Sequence, residues 1–273
     1  MSAAPVKAHE GLRAPPHRLA IEHVIQEVSE RLDERFSLED LASLAYFSPY
    51  HFHRIFRHVT GVPPGRFFSA LRIEAAKRLL LTSDLSVTEV CFEVGYQSLG
   101  SFASQFSRLV GVSPRAFRNL PHANGDLAAR ASLQPPPPPA GTPLALTGRL
   151  GLYGGDRGRL AAVGLFPTAL AEGRPVGCAL APVPGRYKIR TDFDGSVYVL
   201  AVSLEPADGW LGLLLQDSDL RVGSSQRPIR LRRGAAPQVV DLVLRPRRLI
   251  DPPILVPPAL LAVVPPSNGA GTP

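Results

Sequence analysis

The chain has 273 residues, a formal charge of +7, a pI near 9.9 and two cysteines. Its basic balance favours contact with polyanions, and two lone thiols exclude a disulfide framework and suit a reduced compartment. No apolar run is long enough to span a bilayer and the start is not signal-like, so a cytoplasmic chain with no membrane partner is expected.

Residues 1–17, rich in Pro, Ala and Arg, read as a flexible tail. From there Ile21, Val24, Ile25, Val28 and Leu32 form an amphipathic stripe, with Glu22, Glu27, Glu30, Asp33 and Glu34 on the other side. This predicts a packing helix with an acidic face that DNA would avoid.

The next eighty residues contain an internal repeat, a feature that decides the fold wherever it occurs. Ser48-x-x-His51-Phe52-x-x-x-Phe56, closing on Gly61-Val62-Pro63-Pro64, returns as Ser98-x-x-Ser101-Phe102-x-x-x-Phe106, closing on Gly111-Val112-Ser113-Pro114. Ahead of each copy, Ser37 with Asp40 and Ser86 with Glu89 approximate capping boxes. The offset grows from 49 to 50 between these pairs, so the second copy carries one extra residue in its turn. Ser48-Pro49 is an N-cap followed by proline at the first helical position, and Gly61 and Gly111 stand where a left-handed stop is wanted. Each copy therefore reads as a helix-turn-helix.

Phe52, Ile55, Phe56 and Val59, and in the second copy Phe102, Phe106, Leu109 and Val110, share helical stripes and are assigned to the core. The opposite faces hold Tyr50, His53, Arg54 and Arg57 in the first copy, and Gly100, Ala103, Ser104 and Ser107 in the second. Between the copies Pro63-Pro64 opens a helix to about Leu81, with Phe68, Leu71, Ala75 and Leu79 expected inward; it is about 27 Å long. His51 beside His53 lacks further ligands for a metal and reads as a phosphate contact or a partly buried core histidine. Arg72 and Arg78 on the linking helix read as salt-bridged or solvated.

From about Arg18 to Leu120 the chain resembles the DNA-binding domain of the AraC/XylS family of bacterial transcription regulators. The signature is Gly95-Tyr96-x-Ser98-x-x-Ser101-Phe102-x-x-x-Phe106-x-x-x-x-Gly111-x-Ser113-Pro114-x-x-Phe117-Arg118. The resemblance implies seven helices, two helix-turn-helix modules, and a rigid central helix that holds both recognition helices toward one side of a double-stranded DNA operator. Base readout would fall to Tyr50, His53 and Arg54 in the first module and to Gly100, Ser101 and Ser104 in the second. Glycine and serine there replace longer side chains, so the first module is expected to set sequence preference. Ser48, Arg57, Ser98, Arg108 and Arg115 are the expected phosphate contacts, with Ser101 serving there as well; such contacts fix register rather than sequence. Residues 18–120 carry twelve Arg or Lys against eleven Asp or Glu, but from His51 to Arg118 the tally is nine against four, which places the basicity where DNA would lie. Successive major-groove faces lie about 34 Å apart, more than the linking helix spans, so bent DNA or a shallow second helix is expected.

Residues 121–143 read as a linker that includes the polyproline run Pro135–Pro139. Short apolar runs follow: 144–150, 160–166, 176–180, 187–190, 196–204, 210–215, 228–232 and 239–244, separated by glycine and proline. These predict an all-β sandwich over 144–250, followed by a Pro-rich tail, 251–273. Asp194-Gly195 is an expected hairpin turn. Pro184-Gly185-Arg186-Tyr187-Lys188-Ile189, Asp194-Gly195-Ser196-Val197-Tyr198-Val199-Leu200 and Val239–Leu244 resemble the carboxypeptidase regulatory-like, or prealbumin-like, sandwich. That resemblance implies a Greek-key fold of about seven strands without catalytic residues. Trp210 is assigned to the core rather than to a ligand, and Arg230, Arg232 and Arg233 to a solvated edge.

The fold expected is thus an all-α double helix-turn-helix domain followed by an all-β Greek-key sandwich. Its expected role is a sequence-specific transcription regulator, an activator by type, whose β-domain senses, dimerises or docks. Candidate partners besides DNA are RNA polymerase and a small-molecule or protein ligand of the β-domain. The competing role is a weakly selective architectural protein whose β-domain recruits a partner. An enzyme would need an activated thiol, and Cys178 between Gly177 and Ala179 has no charged neighbour to lower its pKa; no catalytic residue, cofactor or metal is expected.

Overall fold

The computed structural model describes residues 16–120, 144–154, 159–204 and 220–255. The expected tails, the run Pro135–Pro139 and the run at Trp210–Leu215 lie outside those residues, apart from Pro16, His17 and the stretch 251–255. Seven helices come first: α1 (Pro16–Ser29), α2 (Leu38–Leu44), α3 (Pro49–Thr60), α4 (Pro64–Thr82), α5 (Val87–Glu93), α6 (Leu99–Val110) and α7 (Pro114–Asn119). Both capping boxes form, Ser37 with Asp40 and Ser86 with Glu89. Their serine hydrogen bonds hold both carboxyl groups below the usual carboxylate range. The second helix of each module ends on a left-handed glycine, Gly61 at φ 80° and Gly111 at φ 90°.

Phe52, Ile55 and Phe56 are buried, as are Phe102, Phe106, Leu109 and Val110, while Val59 is half-buried. Complete burial of side chains of this size stabilises by roughly 1.5–3 kcal/mol each. Their rings pack in tilted and edge-on pairs that run from Phe52 through Phe56 to Phe67, and from Tyr96 through Phe102 and Phe106 to Phe117. Helix α4 departs from the sequence reading. Of the residues expected inward, Phe68 is buried but Leu71, Ala75 and Leu79 are only half-buried, and the rest of the buried set is Pro64, Phe67, Ala70, Ile73, Ala76, Lys77 and Leu80. The physical reason is that α4 touches α3, α5, α6 and α7 and is covered on more than one side, so no single stripe marks its interior. Arg118 of α7 donates to the Leu80 carbonyl, one of the last carbonyls of α4 that the helix itself leaves without a partner, and to the Leu85 carbonyl in the connection to α5.

The second unit comprises β1 (Leu144–Leu152), β2 (Arg159–Phe166), β3 (Gly177–Val183), β4 (Gly185–Thr191), β5 (Gly195–Leu204), β6 (Arg221–Ser224), β7 (Ile229–Leu231), β8 (Gln238–Val239) and β9 (Leu242–Pro246). The pairing order is β3-β2-β5-β6-β9-β1-β4, with β7 on β5 and β8 on β1. β3 lies against β4, which nearly closes the sheet into a barrel. Leu146, Leu150, Val163, Leu165, Ile189, Val197, Val199 and Leu244 fill its interior.

Three strand expectations change. Asp194-Gly195 is a crossover rather than a hairpin turn, because β4 pairs with β1 while β5 pairs with β2 and β7. Asp194 is drawn toward β7, where it accepts from the Arg233 amide at 3.2 Å. The run 239–244 breaks at Val240-Asp241: Val240 donates to the Thr147 carbonyl at 2.8 Å, its own carbonyl accepts from Tyr187 Oη at 2.6 Å, and Asp241 accepts from the Arg149 amide at 2.8 Å. Gly148 is required beside this break, since a Cβ there would lie 1.8 Å from the Val240 oxygen. Strand β6 gave no sequence signal, having one large apolar residue, Val222, among Arg221, Gly223 and Ser224.

The two units share one apolar cluster. Alternate residues of β2 divide between the interiors, with Ala161, Val163 and Leu165 in the barrel and Ala162 and Phe166 against the helices, joined by Leu170, Ala171, Val202 and Leu255. Polar links surround this contact. Glu172 pairs with Arg66 and, at 3.1 Å, with Arg108. Gly173 donates to the Leu109 carbonyl at 2.8 Å, and Arg247 reaches Glu74 through two hydrogen bonds of 2.7 and 3.1 Å.

Candidate nucleic-acid interface

The two turns that aim the recognition helices differ in a way their sequences explain. In the first module Ala45 caps α2, Tyr46 takes a left-handed φ of 57°, and Phe47 leads to Ser48. In the second, Val94 and Gly95 (φ 80°) lead through Tyr96 and the additional Gln97 to Ser98. Gly95 cannot carry a side chain, because its Cβ would sit 2.4 Å from the Leu32 oxygen. Tyr46 points into solvent and is 95% exposed, so the first turn tolerates a residue at a backbone position that costs a non-glycine residue roughly 1–2 kcal/mol. Tyr46→Gly is expected to stabilise the fold by about 0.5–1 kcal/mol, read as a higher urea midpoint at unchanged slope.

Ser48 caps α3 by accepting from the His51 amide, and this orients the helix surface that follows. Tyr50 is 82% exposed, Arg54 and Arg57 are exposed, and His53 is half-buried. His51 sits in a ring cluster with Phe47 at 4.9 Å and His17 at 5.8 Å, and its Nδ1 lies 3.3 Å from an Arg54 guanidinium nitrogen. It is a half-buried packing histidine that also steadies Arg54. Among the described residues no group of three or more His, Cys, Asp or Glu could hold a metal.

Helix α6 offers a different surface. Gly100, Ser101 and Ser104 are exposed, and Ser107 is half-buried. The Ser98 and Ser101 hydroxyls are 2.8 Å apart, and Ser98 accepts from the Ser101 amide, so both hydroxyls are partly engaged with each other. Arg108 is exposed but held by Gln105 and Glu172. Arg115, at the start of α7, is exposed.

The fold brings two further cations to this surface, Arg35 and Arg72; Arg72, expected to be salt-bridged or solvated, is half-buried and bonded to a backbone carbonyl instead. A cavity of about 620 Å³ is lined by Arg35, Phe36, Arg72, Gly95, Tyr96, Gln97, Ser98 and Ser101, which brings Arg35 from the α1–α2 connection and Arg72 from α4 to the start of α6. Arg72 donates to the Glu34 carbonyl at 2.6 Å while its Nε is buried without a partner; desolvation lowers its pKa. No local motif marks these residues, since Arg35 lies 63 positions and Arg72 26 positions from Ser98.

Two capped helix-turn-helix modules joined by one long helix, with cations gathered around the recognition helices, define a double helix-turn-helix DNA-binding unit. Residues 41–120 match the family described as "Helix-turn-helix domain". Over 98 residues the chain is 31% identical to the HTH-type transcriptional activator AarP of Providencia stuartii, covering 36% of this chain and 73% of that protein. Over 92 residues it is 33% identical to the uncharacterized HTH-type transcriptional regulator YobQ of Bacillus subtilis (strain 168), covering 34% of this chain and 38% of that one. A crystal structure of the DNA-binding domain of AdpA, described as the global transcriptional factor, in complex with a target DNA, is 36% identical with a TM-score of 0.37, covering 39% of this chain and 98% of that chain. The chain belongs to the AraC/XylS family of DNA-binding transcription regulators. No helix among the described residues is long and apolar enough to cross a membrane.

Proposed function

We propose that this regulator reads a double-stranded operator chiefly through its first module. The observation that carries this is the contrast between α3, which presents Tyr50, His53 and Arg54, and α6, which presents Gly100, Ser101 and Ser104. Arg54 can fork onto guanine O6 and N7, and a good bidentate pair of this kind discriminates by roughly 1–3 kcal/mol. His53 and Tyr50 add contacts to base edges or sugar. The second module fixes register, with Ser98, Ser101 and Arg115 on phosphates, joined by Ser48 and Arg57 from the first. Arg108 serves there to the extent that Glu172 releases it. Arg35 and Arg72 reinforce the same backbone contact from the cavity wall. At about 28 Å, α4 is shorter than the groove repeat, which favours a bent duplex.

The proposed division is a DNA-binding unit at 18–120, a linker at 121–143 and a β-unit at 144–250. A prealbumin-like Greek key for the β-unit is supported by the groups β4-β1-β9 and β3-β2-β5-β6, and by β5 lying beside β2 while β3 and β4 follow on its other side. That unit senses a small molecule, pairs protomers or docks a protein such as RNA polymerase.

Selection of sites from random duplexes, followed by base swaps under each module, tests the reading. Swaps under the first module are expected to cost at least roughly tenfold more affinity than swaps under the second. Equal losses at both would overturn it. The bare surface of α6 also favours the second reading, a weakly selective architectural protein, and a ratio of specific to non-specific affinity near unity would select that reading instead.

A further inference from the structure

We propose that the β-unit carries a second surface for duplex DNA, on the side of the barrel turned away from the helices. The alternation of β4 is strict. Tyr187, Ile189 and Thr191 are buried, whereas Arg186, Lys188 and Arg190 are exposed on the outer face. On the neighbouring β1, Leu146 and Leu150 point inward and Arg149 is exposed. The register sets Arg149 directly opposite Arg186, Thr147 opposite Lys188 and Ala145 opposite Arg190. Four cations therefore share one sheet face.

Two features distinguish this face from an ordinary solvated strand. Among the described residues none of the four side chains forms an ion pair, although pairs form elsewhere on the unit, at Arg245–Asp251 and Arg230–Asp194. Of the acids beside it, Asp241 accepts from the Arg149 backbone amide, and Asp192, exposed just past the end of β4, forms no ion pair with the row. Like charges directly opposite each other across an antiparallel pair are destabilising, so the Arg149–Arg186 opposition is a local cost that an anionic partner would remove.

The arrangement suits a nucleic-acid backbone better than an acidic protein. Alternate residues on a strand are about 6.8 Å apart, so the β4 row extends about 14 Å, the axial rise of about four phosphates of one DNA strand. The row contains no aromatic or apolar anchor of the kind that carries most protein–protein affinity, because Tyr187 and Ile189 face inward; the exposed apolar residues Val239 and Val243 lie at its margin, across β1. What remains is regularly spaced charge, the requirement for counterion-release binding to a polyanion.

The location fixes the consequence. The helical unit packs on the outer face of β2 and β5, through Ala162, Phe166 and Val202, whereas the cations occupy the outer face of β1 and β4, across the barrel interior. A duplex held there is a different segment from the one under the recognition helices, so a single chain bridges two segments of DNA. Once the helical unit is bound, other stretches of the same molecule are held at high effective concentration.

The experiment uses the full chain. A selected operator duplex is fixed to beads, the protein is bound to it, and capture of a labelled, unrelated duplex is measured at low salt. The native chain is expected to capture the second duplex. The combined substitutions Arg186→Glu, Lys188→Glu and Arg190→Glu are expected to reduce capture at least roughly tenfold while changing operator affinity less than about twofold. Glutamine replacements at the same positions, with melting temperature monitored, give an intermediate loss that separates charge from misfolding. Failure of the native chain to capture, capture that persists in the triple variant as it would for a dimer using two helical units, or occupation of the face by polyglutamate but not by DNA would each overturn the proposal. Operator binding in the same assay reports on the helical unit separately, so its failure is distinguishable from failure of the β-face.

Discussion

Arg54→Ala is expected to weaken binding to the selected operator by about 1–3 kcal/mol, roughly fivefold to 150-fold, and to flatten the base preference at one position under the first module. The side chain is exposed and its contact within the protein is with His51 at 3.3 Å, so the melting temperature should scarcely move. The comparison that gives the result meaning is Ser104→Ala on α6, where the loss should remain within about 0.5 kcal/mol. Arg115→Ala should act in a third way, weakening all sequences by similar factors and lowering the salt slope by about one. Titrations of operator and scrambled duplexes at several salt concentrations separate the three patterns. A large loss at Ser104 with a small one at Arg54 would transfer base readout to the second module.

The parts of this interface that were legible in the sequence are those set by local chemistry. Ser37 with Asp40 and Ser86 with Glu89 act across three residues, and Gly61 and Gly111 occupy positive φ where a helix stop requires it. Phe52 and Phe56, or Phe102 and Phe106, sit one turn apart on helices bounded by those signals. The proposed recognition surfaces are the faces the aromatics leave. Long-range placement is not legible in the same way. Arg35 and Arg72 reach Ser98 only because the chain doubles back between modules. The buried residues of α4 did not form the expected stripe, because neighbours cover the helix on several sides. On β2 and β5 the apolar runs are continuous because both faces are buried, one in the barrel and one against the helices; a sequence run shows that two faces are apolar but not what covers the second. The expected hairpin at Asp194-Gly195 failed for a related reason, since a turn signal states that the chain reverses but not which strand receives it.

Lys77 should make the stability of the fold depend on pH in the alkaline range. It lies in α4 at 2% exposure, with its ammonium 6.0 Å from the centre of the Phe117 ring. Burial depresses its pKa from 10.5 to about 8; Glu74 works against the shift and Arg247 adds to it. Glu74 is itself engaged by Arg247 in two hydrogen bonds, so it offsets the lysine's desolvation only in part. Between pH 8 and 10.5 the unfolded chain binds a proton at this site that the folded chain has released, and stability therefore rises with pH across that window. Below pH 8 both states are charged and the full penalty is present, on the order of 3 kcal/mol. Lys77→Met retains the length of the side chain and removes the charge. It is expected to stabilise the protein by about 2 kcal/mol at pH 7, after allowance for the lost contact with the Phe117 ring, and the advantage should shrink toward zero near pH 10.5. Urea unfolding of both chains at intervals from pH 7 to 10.5 measures this directly. A difference that stays constant over that range would mean that the ammonium keeps its ordinary affinity for a proton inside the fold, and that packing rather than charge distinguishes the two side chains.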